Sequence, residues 1–426
     1  MKVVFHGGAR EVGRSCIEIQ TQGDRYLMDA GIKFLEDGFA YPEGIFKLHE
    51  LDGIFLSHAH LDHSGALPLF EHYNLLCPII CTSQTKVISK VLLRDSYKVA
   101  RIRNLHPAYS KEDITGVWNS MRLVNFNKKY KLGKVDYELF NAGHIPGSAC
   151  TLLEAEGKSI LYTGDFNTRE SRLMKPAETT YPNDIDLLIC ESTYGDKDLP
   201  ERKGIEEKFK QSIRDTIAQG GRVLIPVFAL GRSQEVLLML AKEDFGVPMY
   251  FDGMCNQLTR RILSNPSKFV KDKELLAEAY FNKVHIVGSQ RKRQMIAKEP
   301  GIFITTSGML QGGPVMSYLK EMWGDEKSAV LLMGFQVKGT NGRHLMEDGY
   351  VFMDGWRTFV KCKIEKYDFS GHLSRDDIKT FVQNVKPKKL AFVHGDPESV
   401  DNLTQWASKE TDCEVFGPRI GDEIVL

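Results

Sequence analysis

The sequence predicts an α/β protein in which a second α/β domain interrupts the first. Three observations lead there. Up to about residue 195 the chain reads as short apolar strands separated by glycine turns. From there amphipathic helices alternate with apolar strands, the pattern of a mainly parallel sheet covered on both faces. After about residue 350 the style of the first 195 residues resumes. Residues 1–195 and 351–426 are therefore expected to form one domain and residues 196–350 the insert. A chain of 426 residues has length enough for two or three domains with full cores.

The elements follow in order. "KVVFH", "SCIEIQ", "RYLMDAG", "GIFLS" and "PIICT" are strands by their β-branched and apolar content. "SQTKVISKVLLRDSYKVA" has helical periodicity. "KVDYELFNAG", "ACTLLEAEG", "SILYTGDF" and "DLLICEST" are further strands. In the insert, helix "IEEKFKQSIRDTIAQG" precedes strand "GRVLIPVF", helix "RSQEVLLMLAKE" and strand "VPMYFDG". "GIFITTSG" and "AVLLMGFQ" are its later strands. The closing part holds "FVKCKIEKYDFSGH", helix "SRDDIKTFVQNV", strand "KLAFVHGD", a further helix and "CEVFGPRIG".

Composition excludes several classes. An apolar content of 42% and a charged content of 26% are those of an ordinary globular protein. Lys+Arg and Asp+Glu both number 56, so no overall positive field draws in a polyanion. A nucleic-acid partner would need a local basic surface or bound metal ions. No apolar run spans a bilayer, and "MKVVFHGGAREVG" reads as a strand entering a glycine turn, not a signal peptide. Eight cysteines without a CxxC pair suit free thiols in a reducing cytoplasm and argue against a cysteine zinc site.

The chemistry is concentrated in "SHAHLDHSG". His58, His60, Asp62 and His63 fall within six positions, just after an apolar strand. One such histidine is usually a satisfied core or surface residue. Four donor side chains together repel one another or go unsatisfied without a cation. They exceed what one open metal site uses and suit two adjacent ions. His144 in "NAGHIPGS", Asp165 in "LYTGDF" and His394 in "FVHGD" also follow apolar strands beside glycine, and are the candidates to complete the set. Histidines 6, 49, 72, 106, 285 and 344 lack that context.

"HAHLDH" with the downstream His, Asp and His resembles the metallo-β-lactamase superfamily, whose fold is an αβ/βα sandwich. The resemblance implies two Zn²⁺ ions. One would be held by His58, His60 and His144, the other by Asp62, His63 and His394, with Asp165 bridging them and Asp29 of "LMDAG" standing behind the ligands. "LLICESTYG", "VFALGRSQEVL", "TTSGMLQGGP", "GFQVKGTNGRHL", "DFSGH" and "FVHGD" are similar to the β-CASP nucleases, in that family's order and over nearly the whole chain. The nearest branch is a short archaeal homologue of the catalytic subunit of the cleavage and polyadenylation specificity factor, related to ribonuclease J. Against those relatives, the C-terminal domain common in ribonuclease J and the upstream KH domain of longer archaeal members are expected to be missing. Leu199 stands where many relatives carry histidine.

The family match implies a zinc-dependent ribonuclease of RNA processing or decay that leaves 3′-hydroxyl and 5′-phosphate ends. Endonuclease action leads, with 5′–3′ exonuclease action beside it. Glu191, His372 and His394 occupy the three signature positions after the metal motifs, and histidine at the last goes with RNA-processing members. His372 is the candidate general acid, Glu191 its orienting partner, and Asp62 the ligand counted with them as catalytic. Backbone N–H groups at strand-to-helix turns can hold phosphates. Thr306, Ser307 and Gly308, and Arg232 and Ser233, are the candidate RNA contacts on that ground. Arg291, Lys292 and Arg293 in "QRKRQ" read first as a solvated helix face, and Phe126 and Phe369 cannot be told from core. RNA, a second copy of the chain and an RNA-processing complex are the expected partners, with no membrane. Two other readings stand beside this one: a non-catalytic RNA-binding subunit of a processing complex, and a small-molecule hydrolase, for which the insert has no use.

Overall fold

The computed structural model describes residues 1–426 except 36, 37, 49, 183 and 266–268, and leaves out the side chain of residue 47. The chain divides into two compact units. The first comprises Met1–Glu170, Met174–Asp198 and Gly371–Leu426, the second Ser171–Leu173 and Leu199–Ser370.

The first unit holds two seven-stranded sheets. One runs in the order Glu423–Val425, Lys2–Gly7, Cys16–Thr21, Asp24–Met28, Gly53–Phe55, Ile79–Cys81 and Met121–Leu123. Its first four strands are antiparallel, and pairing is parallel from Asp24–Met28 onward. The other runs Glu414–Phe416, Lys389–Val393, Leu187–Glu191, Lys158–Tyr162, Ala149–Ala155, Val135–Asn141 and Tyr130–Leu132.

The alternation of side chains along each strand sets the layers. Leu187 and Ile189 join Phe5, Ile19, Met28 and Phe55 in a core between the two sheets. Leu188 and Cys190, one residue out of phase, pack with Ile378, Phe381 and Leu403 of the helices Arg375–Val385 and Pro397–Glu410. On the opposite side Ile54, Leu56 and Cys81 meet Leu67, Phe70 and Leu93. Helix, sheet, sheet and helix thus form an αβ/βα sandwich. Both faces of its central strands are buried, which is why they read as continuous apolar runs. Truncating one such side chain to alanine costs about 2–5 kcal/mol.

The second unit is built on six parallel strands in the order His285–Val287, Met249–Asp252, Ile302–Thr305, Val223–Pro226, Ala329–Met333 and Lys363–Tyr367. It returns to the first unit after Ser370, not after residue 350. The reason is the pairing of Lys363–Tyr367 with Ala329–Met333, which makes "KCKIEKY" the edge of the insert's own sheet. The insert begins at Leu199, close to the expected 196. Ser171–Leu173 also belongs to it. The Arg172 and Leu173 N–H groups donate to the two oxygens of Glu235, at 2.7 and 2.9 Å, a tie that no periodic pattern in "RESRLMKP" announces.

The eight cysteines are free. Among the described residues no helix is long and apolar enough to cross a membrane.

Candidate metal centre

Strand ends deliver the donors. The chain leaving Gly53–Phe55 carries His58 and His60, and the four-residue helix Leu61–Ser64 adds Asp62 and His63. In the second sheet Lys158–Tyr162, Leu187–Glu191 and Lys389–Val393 are adjacent and parallel. Their C-terminal ends therefore converge, bringing Asp165, Glu191 and His394 to one edge. His144 comes from the turn after Val135–Asn141. Two turns require glycine. Gly143 has φ +68°, and a Cβ there would lie 2.3 Å from the Asn167 carbonyl oxygen; Gly164, at φ +54°, would meet Ser57 Cβ at 2.7 Å.

The donors fall into two groups that share Asp165. His58, His60, His144 and Asp165 offer atoms all within 4.8 Å of one another, and so do Asp62, His63, Asp165 and His394. In the first, His60 Nδ1 is 3.1 Å from both His58 Nε2 and His144 Nε2. Asp165 Oδ2 faces this group, 3.4 Å from His58 Nε2 and 3.5 Å from His144 Nε2. Asp165 Oδ1 faces the second group, 3.2 Å from both His63 Nε2 and His394 Nδ1. Asp62 Oδ2 is 3.3 Å from His394 Nε2. One carboxylate thus addresses two donor sets with separate oxygens.

The electrostatics test whether cations fit. His63 Nε2 and Asp165 Oδ1 are buried without a hydrogen bond, although their neighbours are polar. Burial pulls the pKa of His58 down, that of His144 well down, and that of His60 to about 3. Three neutral imidazoles therefore turn nitrogens toward one another, the state in which imidazole binds metal. Burial also opposes a charge on His63, yet the Asp165 and Asp29 carboxylates hold its pKa well above the ordinary value. Burial works against ionised Asp165 too, but His394, His63 and the other histidines keep it ionised far below the usual carboxylate range. Three carboxylates, Asp29, Asp62 and Asp165, converge here, and a proton on His63 does part of the work of a cation. The donor set fits divalent metal, whose binding would displace that proton.

Partners behind the donors aim them. Asp29, fully buried at φ +62°, accepts from Ser57 N–H and Ser57 Oγ, both at 2.7 Å, from Tyr162 Oη at 2.7 Å and from His63 Nδ1 at 2.6 Å. That last bond leaves His63 Nε2 turned to Asp165. His144 Nδ1 donates to the Gly371 carbonyl at 2.8 Å, which turns Nε2 inward. Such contacts fix the tautomer and orientation of a ligand. Sequence reasoning found Asp29 but missed Ser57, Tyr162 and the Gly371 carbonyl. Ser57 directly precedes His58 and Tyr162 lies three residues before Asp165, and only that adjacency could have signalled them.

Beside the two groups lies a third, Asp165, Glu191 and His372. It differs in kind. Glu191 accepts from Phe166 N–H at 2.8 Å and Thr193 Oγ1 at 2.6 Å, and lies 3.0 Å from His372 Nδ1. Its oxygens are already supplied with donors. His372 packs 4.7 Å from the His144 ring, centroid to centroid, and its side chain is 20% exposed. A fully buried carboxylate thus lies against a partly exposed imidazole beside the donor cluster.

The insert's candidates belong to the second unit. Thr306, Ser307 and Gly308 follow Ile302–Thr305, and Arg232 opens the helix Arg232–Leu240. Ser307 Oγ accepts from Gln311 N–H at 3.1 Å, and a Cβ on Gly308 would come 2.9 Å from Phe228 N. Thr306 is largely buried. Ser233 is fully buried and its hydroxyl donates to the Ala229 carbonyl at 2.8 Å, so its side chain closes the loop and does not face a ligand. Arg293 of "QRKRQ" is not a solvated charge. It clamps Asp252 with bonds of 2.6 and 2.9 Å. Phe369 is core beside Phe209, and Phe126 packs against the core between the sheets. Of the histidines given no role, His6 pairs with Glu18 and His72 with Asp113, while His49 lies outside the described residues.

Three family models match along the chain. Residues 19–189 match the metallo-beta-lactamase superfamily domain, 233–345 the Beta-Casp domain, and 359–418 the Zn-dependent metallo-hydrolase RNA specificity domain. The chain is 39% identical to a probable RNase, MJ4, of Methanocaldococcus jannaschii over the full length of both. It is 35% identical to the RNase aCSPSF2 of Saccharolobus solfataricus, over 99% of this chain and 84% of that one. It is 34% identical to the transcription termination factor FttA of M. jannaschii, over 93% of this chain and 67% of that one. Among solved structures, a protein of unknown function from Enterococcus faecalis aligns over 100% of this chain and 99% of its own, with a TM-score of 0.63 at 17% identity, a likeness of fold.

Proposed function

The chain belongs to the β-CASP family of metallo-β-lactamase-fold hydrolases, and from that premise we propose that it is a two-zinc ribonuclease cutting RNA to 3′-hydroxyl and 5′-phosphate ends. The observation that carries the proposal is the division of Asp165 between two donor groups, with the Glu191–His372 pair beside them. Relatives named as RNases support RNA as the substrate.

His58, His60 and His144 would hold one ion, Asp62, His63 and His394 the other, with Asp165 between. Zinc held there would supply a water of pKa towards about 7 and a Lewis acid for the phosphodiester. The remaining work falls to the chain. As water attacks phosphorus it gives up a proton to solvent, the bond to the ribose 3′ oxygen breaks, and that oxygen takes a proton. His372 gives it from Nε2, since Nδ1 is held by Glu191. Glu191, fixed by Phe166 N–H and Thr193, keeps the ring in register and carries the charge that steadies its protonated form. Asp29, Ser57 and Tyr162 hold the ligand side. Arg232 and the Thr306–Gly308 turn contact the RNA backbone. Internal cleavage is the primary mode, with 5′–3′ trimming secondary.

The test uses RNA labelled at either end, with and without a blocked 5′ end. Purified protein is expected to release internal fragments from both, and His372→Ala to stop cleavage while zinc, counted per chain, is unchanged. Zinc-free protein that binds RNA without cutting it would point to the non-catalytic subunit instead. Retained cleavage in His372→Ala would remove the acid assignment.

A further inference from the structure

The chain carries as many acids as bases, 56 of each. The helix Ser83–Ile102 departs from that balance. It holds Lys86, Lys90, Arg94, Lys98 and Arg101 against one acid, Asp95. Four of the five repeat at every fourth residue, which sets them along one side of the helix, each about 6 Å further along the axis. Like charges at this spacing destabilise a helix, and cations in its first turns also face the positive end of its dipole. Local helix stability therefore does not account for the row.

Ion pairing does not account for the exposed cations Arg94, Lys98 and Arg101 either. In the second unit, Arg202, Lys210 and Arg214 of the helix Arg202–Ala218 pair with Glu235, Glu206 and Glu243. On Ser83–Ile102, by contrast, Arg94, Lys98 and Arg101 are exposed and make no ion pair within 4 Å among the described residues. Lys86 and Lys90 are held against an aromatic ring: their ammonium groups lie 4.7 and 4.1 Å from the Trp118 ring centroid, and Lys86 also donates to the Met121 carbonyl at 3.3 Å. Cation–π contact orders a lysine and leaves its charge in place.

The helix that carries the row starts beside the turn that holds His144. Thr82 caps the helix by accepting from Thr85 N–H, and Thr82 Oγ1 and Thr85 Oγ1 both donate to the Gly147 carbonyl, at 2.8 and 2.9 Å. Gly147 lies three residues after His144, and Lys86 follows Thr85 directly. From Lys86 to Lys98 the track then runs about 18 Å.

We propose that this helix is an RNA-backbone track: a row of cations that binds successive phosphates of a strand reaching the metal centre. The proposal rests on the ribonuclease reading above and adds a surface to it. The partner is a polyanion because the row offers repeated charge, and the exposed large apolar side chains of the helix, Val99 and Ile102, stand only at its far end. It also supplies the local attraction that a chain of zero net charge needs to hold RNA.

The test removes charge without removing helix formers. Lys90, Arg94, Lys98 and Arg101 become glutamine together, a residue of similar helix propensity. Binding of a 30-nucleotide RNA is read by fluorescence anisotropy across a salt series, with the His372→Ala background preventing cleavage. The expected result is at least tenfold weaker binding at low salt, and a salt slope shallower by about 2–3, from about 0.7 for each phosphate no longer neutralised. In the cutting-competent background, kcat is expected to be unchanged and KM to rise. Arg94→Lys with Arg101→Lys, which keeps the charge, is expected to bind like wild type, and equal circular dichroism shows that the helix has formed. Unchanged affinity and slope in the glutamine variant would overturn the track, including the case in which the variant loses binding to an acidic protein instead. Wild-type protein that neither binds nor cuts RNA would instead overturn the ribonuclease reading beneath it.

Discussion

Asp165 and Asp252 are both buried carboxylates at the ends of strands in parallel pairing, and they are opposites. Asp252, in the insert, is saturated: Arg293 donates to both of its oxygens and Tyr318 Oη adds a third bond at 2.9 Å. Asp165 is surrounded by histidine nitrogens, and its Oδ1 accepts no hydrogen bond. A carboxylate whose lone pairs are met by donors belongs to the fold. One that converges with neutral imidazoles on a shared space leaves room and charge for a cation. Burial alone does not separate them, since each is 2% exposed or less. The supply of donors does.

The sharpest way to break this contrast is Asp165→Asn. The amide keeps the shape and removes the charge shared by the two donor groups. Bound zinc per chain is expected to fall, and RNA cleavage to drop by more than the roughly 10–100-fold that removing a supporting group behind a ligand costs. Full zinc content with normal cleavage would end the bridging role.

Asp29→Asn asks the same question one step back. Asp29 resembles Asp252 in being saturated, with four donors, yet one of those donors is His63. An amide cannot accept all four, and its NH₂ would face a donor. Zinc affinity, measured by competition with a chelator, is expected to weaken roughly 10–100-fold while the fold is kept. An unchanged affinity would place Asp29 with Asp252, as a residue of the fold alone.

What the sequence revealed follows from the same physics. Metal donors are few residue types, crowded and costly without an ion, so "HAHLDH" stands out, and His144, Asp165 and His394 join it through their strand ends. The sandwich and the insert were legible because buried strands are continuous apolar runs. Two things were not. The return point at Ser370 depends on whether Lys363–Tyr367 pairs with Ala329–Met333, a long-range choice that its local pattern does not encode. And Arg293, three residues into a basic helix, looks like its solvated neighbours Arg291 and Lys292 until Asp252 is found 41 positions away in sequence. The partner decides the role of a charge, and partners are tertiary facts. The cationic row on Ser83–Ile102 is the converse: its spacing is plain in the sequence, but only the structure shows that Arg94, Lys98 and Arg101 have no paired acid among the described residues.

Asp252→Asn has the smallest expected effect on the metal centre, none, and a large one on the insert. The substitution leaves the Arg293 guanidinium, mostly buried with its side chain 18% exposed, without its counter-charge, while Tyr318 keeps one acceptor. Removing one partner of a fully buried pair costs about 3–5 kcal/mol, and the partial exposure of Arg293 brings the expected cost to about 1–3 kcal/mol. Denaturant unfolding followed by a probe in the insert is expected to shift by that amount, with zinc content at the wild-type level. The double variant Asp252→Asn with Arg293→Met removes the orphaned charge and is expected to recover part of the loss. The sign of that coupling is the decisive reading. If Arg293→Met adds its own destabilisation in full, the pair is not acting as a unit, and the distinction between a saturated carboxylate and an unsatisfied one loses its structural half.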